Sequence, residues 1–201
     1  LMLVIGITWL EFTVRGLGET VSHWVFLPPL LVVVAILIAS LAGMGFVAKI
    51  LISPLFKMIS MPMMVPGGSL AGGFYMLWLV LAVLIVPKWG TGLLFGLLQA
   101  LIAIVLGFKN QGLLTLVSYV LPGLVVDLAR PLFKNPRNLL THLVLTPLAN
   151  MTGAGVVAIL LFRHPLQAVL IVLGMALVSG LLGGFVSWGI YKPLDDYGVI
   201  K

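Results

Sequence analysis

The sequence predicts an all-α integral membrane protein: a bundle of six membrane-spanning helices, with an N-terminal interfacial helix or partial seventh span ahead of it. Three observations carry that expectation. The chain of 201 residues is 62% hydrophobic and only 8% charged, where a soluble domain carries about 25% charged residues. Its charges stand far apart: after Glu19 the next is Lys49, then Lys57, Lys88, Lys109 and Asp127, and after Arg137 come Arg163 and Lys192. A helix rises about 1.5 Å per residue, so about 20 apolar residues cross a hydrocarbon core about 30 Å thick, and the apolar gaps are close to that length. The alternating ten-residue segments of an outer-membrane barrel are missing, which leaves helices as the spanning element.

The elements follow in order. Residues 1–27 hold an apolar stretch, Leu1 to Leu10, then Glu11, Arg15, Glu19 and Trp24. That pattern fits an interfacial amphipathic helix or the tail of a span. The first full span is expected from Pro28 to Ala48. The second runs from Ser69 to Val86 and stops at Pro87-Lys88-Trp89-Gly90, and the third runs from Thr91 to Phe108. The fourth starts after Lys109-Asn110-Gln111-Gly112 and ends at Leu128. The fifth covers Leu139 to Phe162 and the sixth Leu166 to Tyr191. Pro, Gly, Asn and charge mark the turns because each interrupts helix geometry or prefers water. The organisation expected is thus residues 1–27, a bundle over 28–192, and a cytoplasmic tail over 193–201.

The formal net charge of +6 is read as loop cations that set topology and anchor to lipid headgroups, not as a nucleic-acid footprint. With the loop of Arg130, Lys134 and Arg137 inside, Lys88, Lys192 and Lys201 join it, six cations in all. Lys49, Lys57, Lys109 and Arg163 fall outside, four in all. The bias places the C-terminus in the cytoplasm and the loop from Ile52 to Gly68 outside. A connection that long is expected to cover a binding site.

Catalytic groups are scarce. The only acids are Glu11, Glu19, Asp127, Asp195 and Asp196, and the only histidines are His23, His142 and His164. No HExxH, paired carboxylates or P-loop is present, so neither a metal centre nor a cofactor site nor catalysis is expected in this chain. Asp127 is expected to cap a helix or to pair with Arg130. Uncharged polar groups within the spans are more numerous: Gln99; Thr115 and Tyr119, four apart on one face; Asn150 and Thr152; Tyr75 and Trp78. Such groups are costly in lipid and should face the bundle interior, where they either join helices or line a pocket for a small polar organic ligand. The pocket is expected between the outer ends of spans four to six, with Tyr119 and Asn150 foremost. Small residues form stripes: Ala35 and Ala39 in the first span, and Ala176, Gly180 and Gly184 in the last. Small-xxx-small faces let helices approach closely, within the chain or against a partner subunit.

Gly72-Gly73-Phe74-Tyr75 with Trp78, then Val86-Pro87-Lys88-Trp89-Gly90, the Gln99 helix ending at Leu106-Gly107, and Gly112-Leu113-Leu114 resemble the substrate-binding S components of energy-coupling-factor (ECF) vitamin transporters. The likeness is to the YkoE-like group linked to thiamine and its hydroxymethylpyrimidine precursor, and it covers roughly residues 30–192. It implies a six-span bundle of S-component type in a prokaryotic cytoplasmic membrane. Such a subunit captures a small vitamin-like molecule from outside and delivers it through a transmembrane coupling subunit driven by two cytoplasmic ATPases, where ATP hydrolysis resides. It also implies that an Ala-xxx-Ala face, here Ala35 and Ala39, docks the coupling subunit. Gln99 departs from the Glu of the thiamine-type pattern. A neutral amide cannot offset a cationic thiazolium, so a neutral or anionic substrate fits equally. The competing expectation is a membrane scaffold whose polar residues only pack helices.

Overall fold

Helices end where Pro or Gly stops the backbone from closing its i to i−4 ladder. The computed structural model describes residues 27–60, 67–107 and 113–198. Regular structure among the described residues is helical: α1 (Leu27–Ser60), α2 (Gly67–Ile85), α3 (Thr91–Val105), α4 (Leu113–Ala129), α5 (Leu139–Val156) and α6 (Leu166–Asp196). A 3-10 turn, Arg130–Leu132, follows α4, and a π-helical turn, Val157–Leu161, prolongs α5. α2 stops short of Pro87, and Gly90, at a φ of 86°, provides the left-handed step into α3. The Asn138 side chain accepts a hydrogen bond from the Leu140 amide at 3.1 Å and so starts α5, as an N-cap residue should.

Each of the six expected spans holds one of these helices. Four stretches are long and apolar enough to cross a membrane: Val32–Phe56, Leu114–Leu132, Leu139–Leu160 and Leu166–Asp196. Ser69–Ile85 and Thr91–Val105 are shorter apolar helices. Two boundaries differ from expectation. The first helix does not stop at Ala48 but runs on to Ser60, so Ile52–Ser60 is helix and not part of an open loop. Nothing from Lys49 to Ser53 breaks a helix, and the helix continues through Pro54 although that residue removes one ladder bond and crowds the carbonyl four residues back. At the other end α6 passes through Lys192 and Pro193 to Asp196, beyond the expected start of the tail. The expectation for residues 1–26 lies outside the described residues.

Two compact units divide the chain, residues 1–37 and residues 38–201. In the first, the described turns of α1 expose Val32, Val33, Ile36 and Leu37. In the second, α2 is the central helix: Leu79, Val80, Leu81, Ala82, Val83 and Leu84 form an unbroken buried run. It packs on α6, α6 packs on α5, α3 packs on α4, and α4 meets α5. Missing side chains make this possible. A Cβ on Gly123 would lie 2.0 Å from the Gly92 carbonyl oxygen, and one on Gly183 would lie 2.1 Å from that of Gly73. The Ala176, Gly180 and Gly184 stripe is likewise buried within the chain, with Gly180 against Pro147 and Gly184 against the His142 carbonyl.

Candidate functional site

α1 carries a cation into the bundle. Lys49 lies inside the spanning stretch Val32–Phe56, half-buried, and its Nζ donates to the Tyr119 hydroxyl on α4. The same ammonium stands 4.3 Å from the centre of the Tyr119 ring and 5.2 Å from that of Tyr75 on α2, within cation–π range of both. One turn earlier on the same face of α1 is Gly45. A Cβ there would lie 2.7 Å from Gln99 Nε2, 3.2 Å from Trp78 Cβ and 3.5 Å from Phe95 Cζ. Gln99 Nε2 donates to the Ala42 carbonyl at 3.3 Å, one further turn back. Phe46 packs with Ala100, Ala103 and Tyr119 as the apolar floor of this cluster. Four helices, α1 to α4, therefore bring together an ammonium, two phenol rings, an amide and an indole.

The residues expected to line a pocket separate into groups. Tyr75, Trp78, Gln99 and Tyr119 belong to the cluster around α1. Thr115 lies one turn from Tyr119 on the same face of α4. It is fully buried, and its Oγ1 has no hydrogen-bond partner. Asn150 is elsewhere, between α2, α5 and α6. Its Nδ2 donates to the Ala176 carbonyl at 2.8 Å and to the Ser69 carbonyl at 3.2 Å. Gly72 makes room for it, since a Cβ there would fall 1.7 Å from Asn150 Oδ1. Thr152 Oγ1 donates to the Leu148 carbonyl of its own helix at 2.7 Å. The grouping centres on α1–α4, whereas the expected pocket lay between spans four to six. Sequence reasoning missed Lys49 because the first span was taken to end at Ala48; Gly45 and Phe46 fell inside that span but were not singled out as site residues. The run without Pro or Gly from Phe46 to Ser53 was the available signal.

Several other charged and ionisable groups among the described residues serve structure. Asp127, buried at the end of α4, accepts from the Gly92 amide at 2.9 Å and the Leu93 amide at 3.0 Å. It caps α3 from a neighbouring helix and places negative charge at the positive end of that helix. Arg130 donates to the Pro87 carbonyl at 3.4 Å. Arg137 pairs with Asp195 at 3.6 Å and with Asp196. His142 lies between Ser187, 2.8 Å from Nδ1, and the Pro136 carbonyl, 3.0 Å from Nε2; Nε2 must donate, since a carbonyl only accepts.

A family model described as "ABC-type cobalt transport system, permease component" matches residues 31–152. That is 122 of the 201 residues and includes every member of the α1–α4 cluster. No curated protein and no solved structure matches the chain. Apolar helices of spanning length and this match agree on a multi-pass protein of the cell membrane. The chain belongs to the family of ABC-type cobalt transport permease components, and it is a membrane component of an ECF-type transporter.

Proposed function

We propose that this chain is the substrate-capturing subunit of its transporter. It takes a small vitamin-like molecule (thiamine, its pyrimidine precursor or a related compound) from outside. It passes that molecule on through a transmembrane coupling subunit driven by two cytoplasmic ATPases, and it has no catalysis of its own. The observation that carries this reading is Lys49 held between Tyr75 and Tyr119 within a spanning helix. A Lys within a membrane helix costs up to about 2.5–3.5 kcal/mol on insertion, the full figure at the centre and less toward the end, so such a residue is a functional-site hypothesis first. Aromatic walls with a few placed polar groups are the composition of a small-molecule pocket. The family description names cobalt, yet among the described residues no three His, Cys, Asp or Glu side chains come together. An ammonium among phenols and an amide suits an organic ligand better than a divalent cation. The docking face for the coupling subunit is assigned to Ala35 and Ala39, both exposed on α1.

A second reading, a scaffold without transport, is favoured by Asn150, Thr152 and Ser179, whose donors all go to helix carbonyls. Mass spectrometry of small molecules that co-purify with the detergent-solubilised protein separates the two. The capture reading expects an organic ligand whose re-addition raises the melting temperature, because a ligand that binds only the native state stabilises it by RT ln(1 + [L]/Kd). A protein that carries nothing, and whose melting temperature no candidate vitamin shifts, supports the scaffold.

A further inference from the structure

The acids among the described residues are Asp127, Asp195 and Asp196, and each is committed. Asp127, 4% exposed, turns both oxygens onto the Gly92 and Leu93 amides. Asp195 and Asp196 pair with Arg137. Lys88, Arg130 and Lys134 are left with no acidic partner among the described residues. The fold brings these three cations to one corner of the bundle. Arg130 Nη1 donates to the carbonyl of Pro87, the residue before Lys88. The Phe133 amide closes the 3-10 turn on the Arg130 carbonyl at 2.9 Å, and Lys134 follows it. The α2–α3 turn and the segment after α4 thus stand side by side, with Lys88 and Lys134 exposed on them.

Apolar side chains border the same corner. Trp89 is 72% exposed, Leu132 is 80% exposed, and Leu128 is exposed four residues earlier. Leu128, Arg130 and Leu132 lie in the last residues of the spanning stretch Leu114–Leu132, so the corner stands where hydrocarbon gives way to headgroups. A Trp prefers that level. We propose that Lys88, Arg130 and Lys134 form a binding site for the phosphate of an anionic phospholipid, whose acyl chains run along Leu128 and Leu132 beside Trp89. Ammonium and guanidinium groups bind phosphate through charge-assisted hydrogen bonds, and the apolar border matches the chains that a free anion lacks. Two other cations at this end of the bundle are placed differently. Arg137 is neutralised by Asp195 and Asp196, and Lys192 Nζ stands 5.0 Å from the centre of the Trp188 ring. The site is independent of what the chain transports.

The test titrates the full chain in detergent with phosphatidylglycerol and with phosphatidylcholine of the same acyl chains, and native mass spectrometry reads the lipid-bound fraction. The wild type should hold phosphatidylglycerol at least about tenfold more tightly than phosphatidylcholine. Each Lys near an anionic lipid surface is worth about fivefold in affinity. Lys88→Gln combined with Lys134→Gln should therefore weaken phosphatidylglycerol by about tenfold or more and leave phosphatidylcholine within about twofold. Lys192→Gln, the same charge change at the same end, should alter either lipid by less than about twofold. A thermal melt checks that the double variant is folded; if it is not, each single variant decides by its own loss of about fivefold. Equal retention of the two lipids by the wild type overturns the inference. A loss on Lys192→Gln as large as that on the double variant overturns it too, since net charge and not this corner would then be read. So does inorganic phosphate that competes as well as the lipid, because the corner would then take a free anion. Loss of a co-purifying protein subunit in the double variant, with lipid retention unchanged, would make the corner a protein interface and overturn it as well.

Discussion

Lys49 and Asn150 are both polar groups inside the bundle, and their partners separate their roles. The Asn150 amide nitrogen bonds two backbone carbonyls on two other helices, an arrangement that joins α5 to α2 and α6. Asn150→Ala is expected to lower unfolding stability by about 1–3 kcal/mol, the cost of stranding buried carbonyls. Ligand affinity should stay within about twofold; calorimetry beside a thermal melt of one variant checks both, and the opposite pattern would put the amide against ligand. Asp127 offers a second case. Asp127→Ala removes both acceptors from the first turn of α3 and should cost about 1–2 kcal/mol in the same melt, as loss of a helix cap does. That the polar residues face inward was legible in the sequence, because lipid allows little else. Which of them meet each other was not. Tyr75 and Tyr119 lie on two helices, and only the packing of those helices around α1 brings them to one lysine, with Gln99 of a third helix meeting α1 at Ala42 and Gly45.

At the scale of elements, breakers were the readable part. Pro87 to Gly90 and Asn135 to Asn138 act within one turn of themselves, so α2, α3 and α5 begin or end where those residues stand. α1 was misread at its C-terminal end because a lysine was taken as a loop marker. The physics of a span permits the exception: the four methylenes of a Lys are apolar, and its charge is tolerable where aromatic faces and a hydroxyl replace water. The N-terminal half of α1 leads to a different prediction. Ala35 and Ala39 are exposed, and small side chains at that spacing admit a helix at close range. Replacing both with Leu should abolish co-purification with a coupling subunit while leaving the melting temperature and any ligand-induced shift unchanged. Normal assembly of that variant would move the docking face elsewhere.

For the molecule as a whole, the structure alters the charge balance on which orientation rests. Lys49, Arg130 and Lys192 all lie within spanning stretches, which leaves three of the cations expected outside (Lys57, Lys109 and Arg163) against four of those expected inside (Lys88, Lys134, Arg137 and Lys201). The bias toward a cytoplasmic C-terminus keeps its sign. A cysteine at Lys201 should therefore resist an impermeant thiol reagent added to intact cells and react once the membrane is opened; labelling from outside would reverse the orientation. The close approach of Gly92 to Gly123, and of Gly73 to Gly183, has a consequence of another kind. A lipid-facing Leu can become Ile, Val or Phe with little effect, because the bilayer has no shape to match. A Cβ at Gly123 would come within 2.0 Å of a backbone oxygen that cannot yield. Between these two kinds of position substitutional freedom thus runs opposite to residue size: the bulky lipid-facing side chains are permissive, and the glycines at backbone contacts, Gly73, Gly92, Gly123 and Gly183, are the ones that drift can least afford to touch.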